Sequence, residues 1–207
     1  MSGHLNGQDG EIQGRDEAGK GDDLQRVERV ASIVESLLLV SGKPLTEEKI
    51  RKVLPQEEGE AVKKALNLLK EKYGGDSGIL LEFVSGGYQL RTNPANQEYV
   101  RNFLQTRPPR LSRAALETLA IVAYRQPITR AEIEDLRGVD SQGAIKTLLE
   151  RKLIRVVGKK EVPGRPFLFG TTKEFLETFS LESLNSLPSL EEIAEMLGHD
   201  EGEGEEH

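Results

Sequence analysis

Two tandem winged-helix domains, a mainly α architecture with small β-hairpins (α+β) and flexible acidic tails, are predicted by three observations. First, the sequence states one pattern twice: VSGKPLTEEKIRKV at 40–53 and AYRQPITRAEIEDL at 123–136 superpose at an offset of 83. Pro44 then meets Pro127, Thr46 meets Thr129, Ile50 meets Ile133 and Val53 meets Leu136, and the same gapless offset pairs Ala31 with Ala114 and Val62 with Ile145. A repeat of this span is a supersecondary unit used twice. Second, each copy reads as three helices followed by a hairpin. Third, the acidity is concentrated at the ends. Residues 1–25 hold six acids and two bases, and 191–207 hold eight acids and no base.

In the first copy, Val27, Val30, Ala31, Val34, Leu37 and Leu38 recur at helical spacing and make 26–41 an amphipathic helix. Gly42 stops it, and Lys43-Pro44 turns the chain. Thr46 is placed to cap a second short helix that ends near Leu54-Pro55. A third helix spans 58–73, with Val62, Ala65, Leu66 and Leu69 on one face and Gly74-Gly75 beyond its end. GILLEFVSGGYQLRT then reads as two strands around Gly86-Gly87.

The second copy repeats the order. A helix runs from Leu111-Ser112 to Tyr124, and Pro127 turns the chain. Thr129 with Glu132 forms a capping box, and Gly138 ends the second helix. The third helix covers 140–151, with Ile145, Leu148 and Leu149 inward. LIRVV at 153–157 pairs with FLFG at 167–170, and a last helix covers 173–179. The implied organisation is a disordered tail at 1–25, a first domain at 26–93, a linker helix and Pro-Pro hinge at 94–110, a second domain at 111–182, and an acidic tail at 183–207. Within that tail Ser189 and Glu192 make a further capping box, with an apolar stripe of Leu190, Ile193, Met196 and Leu197 for a short helix at 190–197.

Composition excludes several chemistries. The chain has no cysteine, and its histidines stand at 4, 199 and 207, in the two tails. Thiol catalysis, histidine triads and Cys/His zinc sites therefore have no residues in the folded core. The glycine pairs lack the spacing that wraps a phosphate. No cofactor is expected and no enzyme is implied. Nor is there an apolar run of membrane-spanning length or a signal peptide, so the expected location is cytoplasmic.

A winged helix raises the expectation of DNA binding, and residues 101–170 carry 14 bases against seven acids. A winged-helix DNA-binding transcriptional regulator is thus the alternative reading. The third helix of the second copy argues against it. Its outward residues include Asp140, Ser141, Gln142, Lys146 and Glu150, and it offers no arginine to read guanine before Arg151. The apolar residues argue for protein contacts instead. Ile33, Leu39 and Val40 lie off the main stripe and make the first helix apolar around much of its circumference, which suits burial on a second side, here by another copy with Ile33, Leu37, Leu39 and Val40 at the interface. The alternative cover is the linker helix. On the second hairpin, Phe167, Leu168 and Phe169 stand beside Lys159, Lys160 and Arg165, an aromatic and basic composition common in protein interfaces. Alternation puts Phe167 and Phe169 on one face, where they serve an interface, the core or the stacking of single-stranded nucleic acid.

Residues 116–181, above all RGVDS at 137–141 and GRPFLFGTT at 164–172, closely resemble the segregation and condensation protein B (ScpB) family, and LLLVSGKPLT resembles the family's N-terminal domain. The resemblance covers about 26–185. It implies a non-catalytic subunit of the bacterial SMC–kleisin complex, acting in chromosome condensation and segregation during cell division at the nucleoid. It further implies a homodimer formed through the first domain and binding of the kleisin ScpA, with the second domain as a major contact. The SMC ATPase is then reached through the kleisin, and DNA only indirectly through the complex.

Overall fold

A computed structural model describes residues 9–57, 59–105, 110–189 and 191–192, with the backbone alone described over 9–20. The chain divides into two compact units, with the boundary between residues 106 and 107. Among the described residues, no helix is long and apolar enough to cross a membrane.

The first unit contains α1 (Asp9–Ser41), α2 (Glu47–Val53), α3 (Gly59–Lys72), β1 (Ile79–Val84), β2 (Gly87–Thr92), a 3-10 turn (Pro94–Asn96) and α4 (Gln97–Leu104). Its core joins Val27, Val30, Val34 and Leu38 of α1 to Ile50 of α2 and to Val62, Ala65, Leu66 and Leu69 of α3. The Thr46 hydroxyl accepts from the Lys49 amide at 3.3 Å and starts α2 as the sequence expects. The hairpin turn falls on Ser85-Gly86 rather than on Gly86-Gly87. Both turn residues have positive φ, 53° and 74°, the geometry that matches the right-handed twist of the flanking strands. Gly87 serves a different purpose. Leu45 and Tyr88 exchange backbone hydrogen bonds of 2.9 and 2.8 Å, and a Cβ on Gly87 would sit 2.8 Å from the Leu45 carbonyl carbon.

The second unit contains α5 (Arg113–Arg125), β3 (Ile128–Thr129), α6 (Arg130–Arg137), α7 (Gln142–Glu150), β4 (Ile154–Lys159), β5 (Phe167–Thr171), α8 (Lys173–Thr178) and a 3-10 turn (Leu184–Ser186). Its strands lie in the order β3-β5-β4 and are all antiparallel. The two-residue strand β3 is absent from the sequence reading because two residues carry no period. It is the counterpart of the Leu45–Tyr88 bridge, since Leu45 and Ile128 are 83 apart.

The capping box is present in both directions. The Glu132 amide donates to Thr129 Oγ1 at 3.3 Å, and the Thr129 amide donates to Glu132 Oε2 at 2.9 Å. Gly138 ends α6 with φ 70°. RGVDS is a clamp on the turn between α6 and α7. Arg137, its side chain 7% exposed, donates from Nη1 to Ser141 Oγ at 2.8 Å. The Ser141 amide in turn donates to Glu134 Oε1 at 3.0 Å. Ser141 is therefore buried, not an outward residue of α7.

Three further expectations need correction. The expected tail at 1–25 gives way to helix from Asp9 onward. Once a helix is packed, each residue added upstream gains a backbone hydrogen bond without a new nucleation cost, and no proline interrupts 9–25. Two ion pairs to α3 and the turn before it hold its near end, Lys64 to Asp23 at 2.7 Å and Arg26 to Glu57 at 2.8 Å.

The gapless offset of 83 also fails in the first helix. Ala31, Val34 and Leu38 are buried as Ala115, Thr118 and Val122 are, an offset of 84, whereas Ala114 is only half-buried. Two residues separate α1 from Pro44, but Gln126 alone separates α5 from Pro127. The offset of 83 resumes at the proline. Finally, Leu149 is exposed although its counterpart Leu66 is buried, because α7 is shorter than α3 and the chain turns away at Arg151.

Candidate functional site

Both candidate surfaces are apolar patches left by the packing just described. On α1, Leu38 points into the core, while Leu39 and Val40 are 70% and 79% exposed. Ile33 and Leu37 are half-buried, and Ile33 packs against the core edge. With 3.6 residues per turn, Ile33, Leu37 and Val40 lie in one row along the flank of the buried stripe, whereas Leu39 stands about 100° round from Val40. The four candidates thus form a row of three and one separate neighbour. Glu35 fixes the helix beside them. It accepts from Lys72 Nζ at 2.8 Å and from the Tyr73 hydroxyl of the α3 end. The lysine, then the tyrosine, holds its carboxyl below the ordinary range.

Sequence reasoning treats α4 as a linker and misses its surface. Tyr99 and Phe103 are 77% and 86% exposed, and Leu104 is exposed beside them. No residue of α4 is buried. The pairs Tyr99/Phe103 and Val100/Leu104 are each four apart, and that spacing is the signal by which the stripe could have been found.

In the second unit the hairpin β4–β5 forms the wing. Phe167 is about half exposed at its outer end, and Lys159 Nζ stands 5.1 Å above its ring, within cation–π range. Phe169 occupies the same face two residues on, but it lies under the helices and is 7% exposed. Of the two aromatics alternation puts together, one is core and one is surface. The strand outruns the three-helix layer, so a shared face does not mean a shared environment.

Leu168 is half-buried opposite Thr129. A register shift between Val156 and Gly158 leaves Val157 as the extra residue of a β-bulge. Val156, Val157 and Val162 are all exposed, widening the apolar wing beyond the residues expected.

The basic residues of the wing differ in their bonding. Lys160 Nζ donates to Glu132 Oε1 at 2.6 Å, and the Lys160 amide donates to the Pro166 carbonyl at 2.9 Å. With Lys160 and the Thr129 amide and hydroxyl all directed at it, the Glu132 carboxyl is lowered to about 2. Lys160 therefore ties the wing to the α6 cap. Arg165, at φ 40°, donates to Glu161 at 2.9 Å. Lys159 and Phe167 remain the outward pair.

The family model described as "Segregation and condensation complex subunit ScpB" matches residues 32–190. Two proteins named segregation and condensation protein B are similar over 170 residues, or 82% of this chain. One, from Myxococcus xanthus, is 49% identical with 51% of its length covered. The other, from Syntrophotalea carbinolica, is 46% identical with 86% covered. The chain thus spans about half of the first relative and most of the second. A crystal structure of ScpB from Mycobacterium tuberculosis is 37% identical, over 75% of this chain and 97% of that one, with a TM-score of 0.35.

Proposed function

The chain belongs to the ScpB family of segregation and condensation complex subunits, and from that premise we propose that it is a non-catalytic subunit of a bacterial SMC–kleisin complex that condenses and segregates chromosomes at the nucleoid, in the cytoplasm. It acts by protein contacts. The first unit pairs with a second copy through the α1 flank of Ile33, Leu37 and Val40 together with Leu39. The second unit holds the kleisin ScpA at the wing, through Lys159, Phe167 and the exposed edge of Leu168, with Arg165 and Lys160 beside them. The SMC ATPase is engaged through that kleisin.

The observation that supports this reading is the exposure of Leu39 and Val40 just beyond the packed stretch Val27 to Leu38 of α1. Large apolar side chains grouped on a surface mark interaction sites. The DNA-reading alternative draws no comparable support. At the start of α7, Asp140 takes Arg130 at 2.6 Å, and Lys146 lies 3.9 Å from Glu150, so acids accompany the cations there.

Sedimentation of the full chain at micromolar concentration tests the first contact. A dimer is expected, and Leu39→Glu with Val40→Glu should weaken it at least about tenfold, since each buried apolar side chain contributes about 1.5–3 kcal/mol. A monomer in the unsubstituted chain rejects the reading. Calorimetric titration with the central region of the kleisin tests the second contact. Binding should be lost in Phe167→Ala and kept in a surface variant away from the wing, and equal binding by both rejects the wing assignment.

A further inference from the structure

A groove of about 330 Å³ runs between α5 and α8 of the second unit, floored by Leu119 and Ala123 and walled by Leu116, Ala120 and Phe179. Its lining is apolar, and its walls are exposed. The chain itself leads to the rim. Leu187 and Pro188 line one end, and the Tyr124 hydroxyl donates to the Pro188 carbonyl at 2.7 Å. Directly beyond that anchor a reciprocal capping box is formed. The Ser189 amide donates to Glu192 Oε2 at 2.6 Å, and the Glu192 amide donates to Ser189 Oγ at 3.1 Å. This arrangement starts a helix, and residues 191–192 are helical.

We propose that residues 190–197, LEEIAEML, fold back as one amphipathic helix and fill this groove. Residue 190 and residues 193–197 lie outside the described residues; the described anchor before them, the pattern of their sequence and their length identify them as the occupant. The helix start is fastened at the rim, one residue after a hydrogen-bonded proline. The stripe of Leu190, Ile193, Met196 and Leu197 has the spacing of a single helix face, with Glu191, Glu192 and Glu195 on the other. The lengths also agree: eight helical residues rise about 12 Å, as does α5 from Leu116 to Tyr124. Tethering puts this segment beside the groove at an effective concentration in the millimolar range, which favours it over free occupants. The inference does not rest on the family reading, because it uses only the second unit and its own continuation.

The chain contains no cysteine, so engineered thiols report without background. Ala120→Cys with Met196→Cys in the full chain, under mild oxidation, should give a monomer-sized disulfide about tenfold faster than a reference pair of Ala120→Cys with Gly204→Cys, which is tethered but beyond the stripe. Equal rates for the two pairs overturn the proposal, and so does a dimer-sized product, which would assign the groove to a second copy. Hydrogen exchange gives a second measurement. Ending the chain at Ser189, or substituting Ile193→Glu in the full chain, should speed exchange of the α5 amides about tenfold while leaving α3 unchanged. Unchanged α5 exchange in both variants overturns the proposal.

Discussion

Replacing Phe169 and Phe167 separately by alanine asks whether two aromatics on one strand face have the different roles assigned to them. Phe169 is 7% exposed and packs with the second core, and it lies opposite Ile128 on one side and Val156 on the other. Truncating a buried phenylalanine removes its transfer energy and leaves a cavity, about 3–5 kcal/mol together. Phe167 is 52% exposed. Half of the roughly 1.5–3 kcal/mol of full burial, with about 0.5 kcal/mol for the exposed Lys159 contact, gives a loss near 1–2 kcal/mol.

The two variants should therefore differ by at least about 1–2 kcal/mol, on the order of tenfold in the local opening equilibrium. Hydrogen exchange resolved by peptide is the assay, because it reads the second unit apart from the first. Amides of α5 and α7 should lose much more protection in Phe169→Ala than in Phe167→Ala, and α3 should change in neither. Equal losses in the two variants, or a larger loss at Phe167, would refute the separation of core from surface.

Two further outcomes follow from the geometry. The Glu132 carboxyl is held at about 2 from an ordinary 4.5. A depressed carboxylate contributes its stability above the unfolded value and loses it as the pH falls toward the folded one. Glu132→Gln should therefore cost on the order of 1 kcal/mol at pH 6, a figure discounted because the side chain is 41% exposed, and the difference should vanish near pH 2. Urea midpoints at the two pH values measure it. Separately, Gly87→Ala should cost roughly 1–3 kcal/mol, since the new methyl meets Leu45 backbone. Gly143→Ala in α7, where a Cβ meets nothing within 4 Å, should instead stabilise by about 0.5–1 kcal/mol. Thermal unfolding of the two variants distinguishes these signs.

The elements that carry a period or a cap were legible in the sequence. Val30, Val34 and Leu38 announce α1, and Thr129 with Glu132 announces α6, because burial and capping leave residue-type signatures at fixed spacing. What was illegible depends on where an element ends in space. Alternation gives Phe167 and Phe169 the same face, but only the reach of the helices above decides that one is covered. Leu149 keeps the spacing of a core residue and loses the cover because α7 stops a turn sooner than α3. Four glycines among 9–25 offset the helix formers between them and hide the helix, so its continuity with a packed segment decides the matter. The α4 stripe was legible and was passed over because a linker was expected there.

The one-residue difference between the two turns has a consequence for how such a duplicated chain acquires new surfaces. Removing a single residue ahead of the proline swings the preceding helix by about 100° against an unchanged remainder. Leu39 and Val40, bare in the first unit, align at offset 83 with Val122 and Ala123, which are sealed in the second. The same apolar positions can thus be turned outward or inward by a change in chain length, with no substitution among them. Divergence of twin domains can begin with an insertion that re-aims an old helix, and substitutions then need only refine the face it presents.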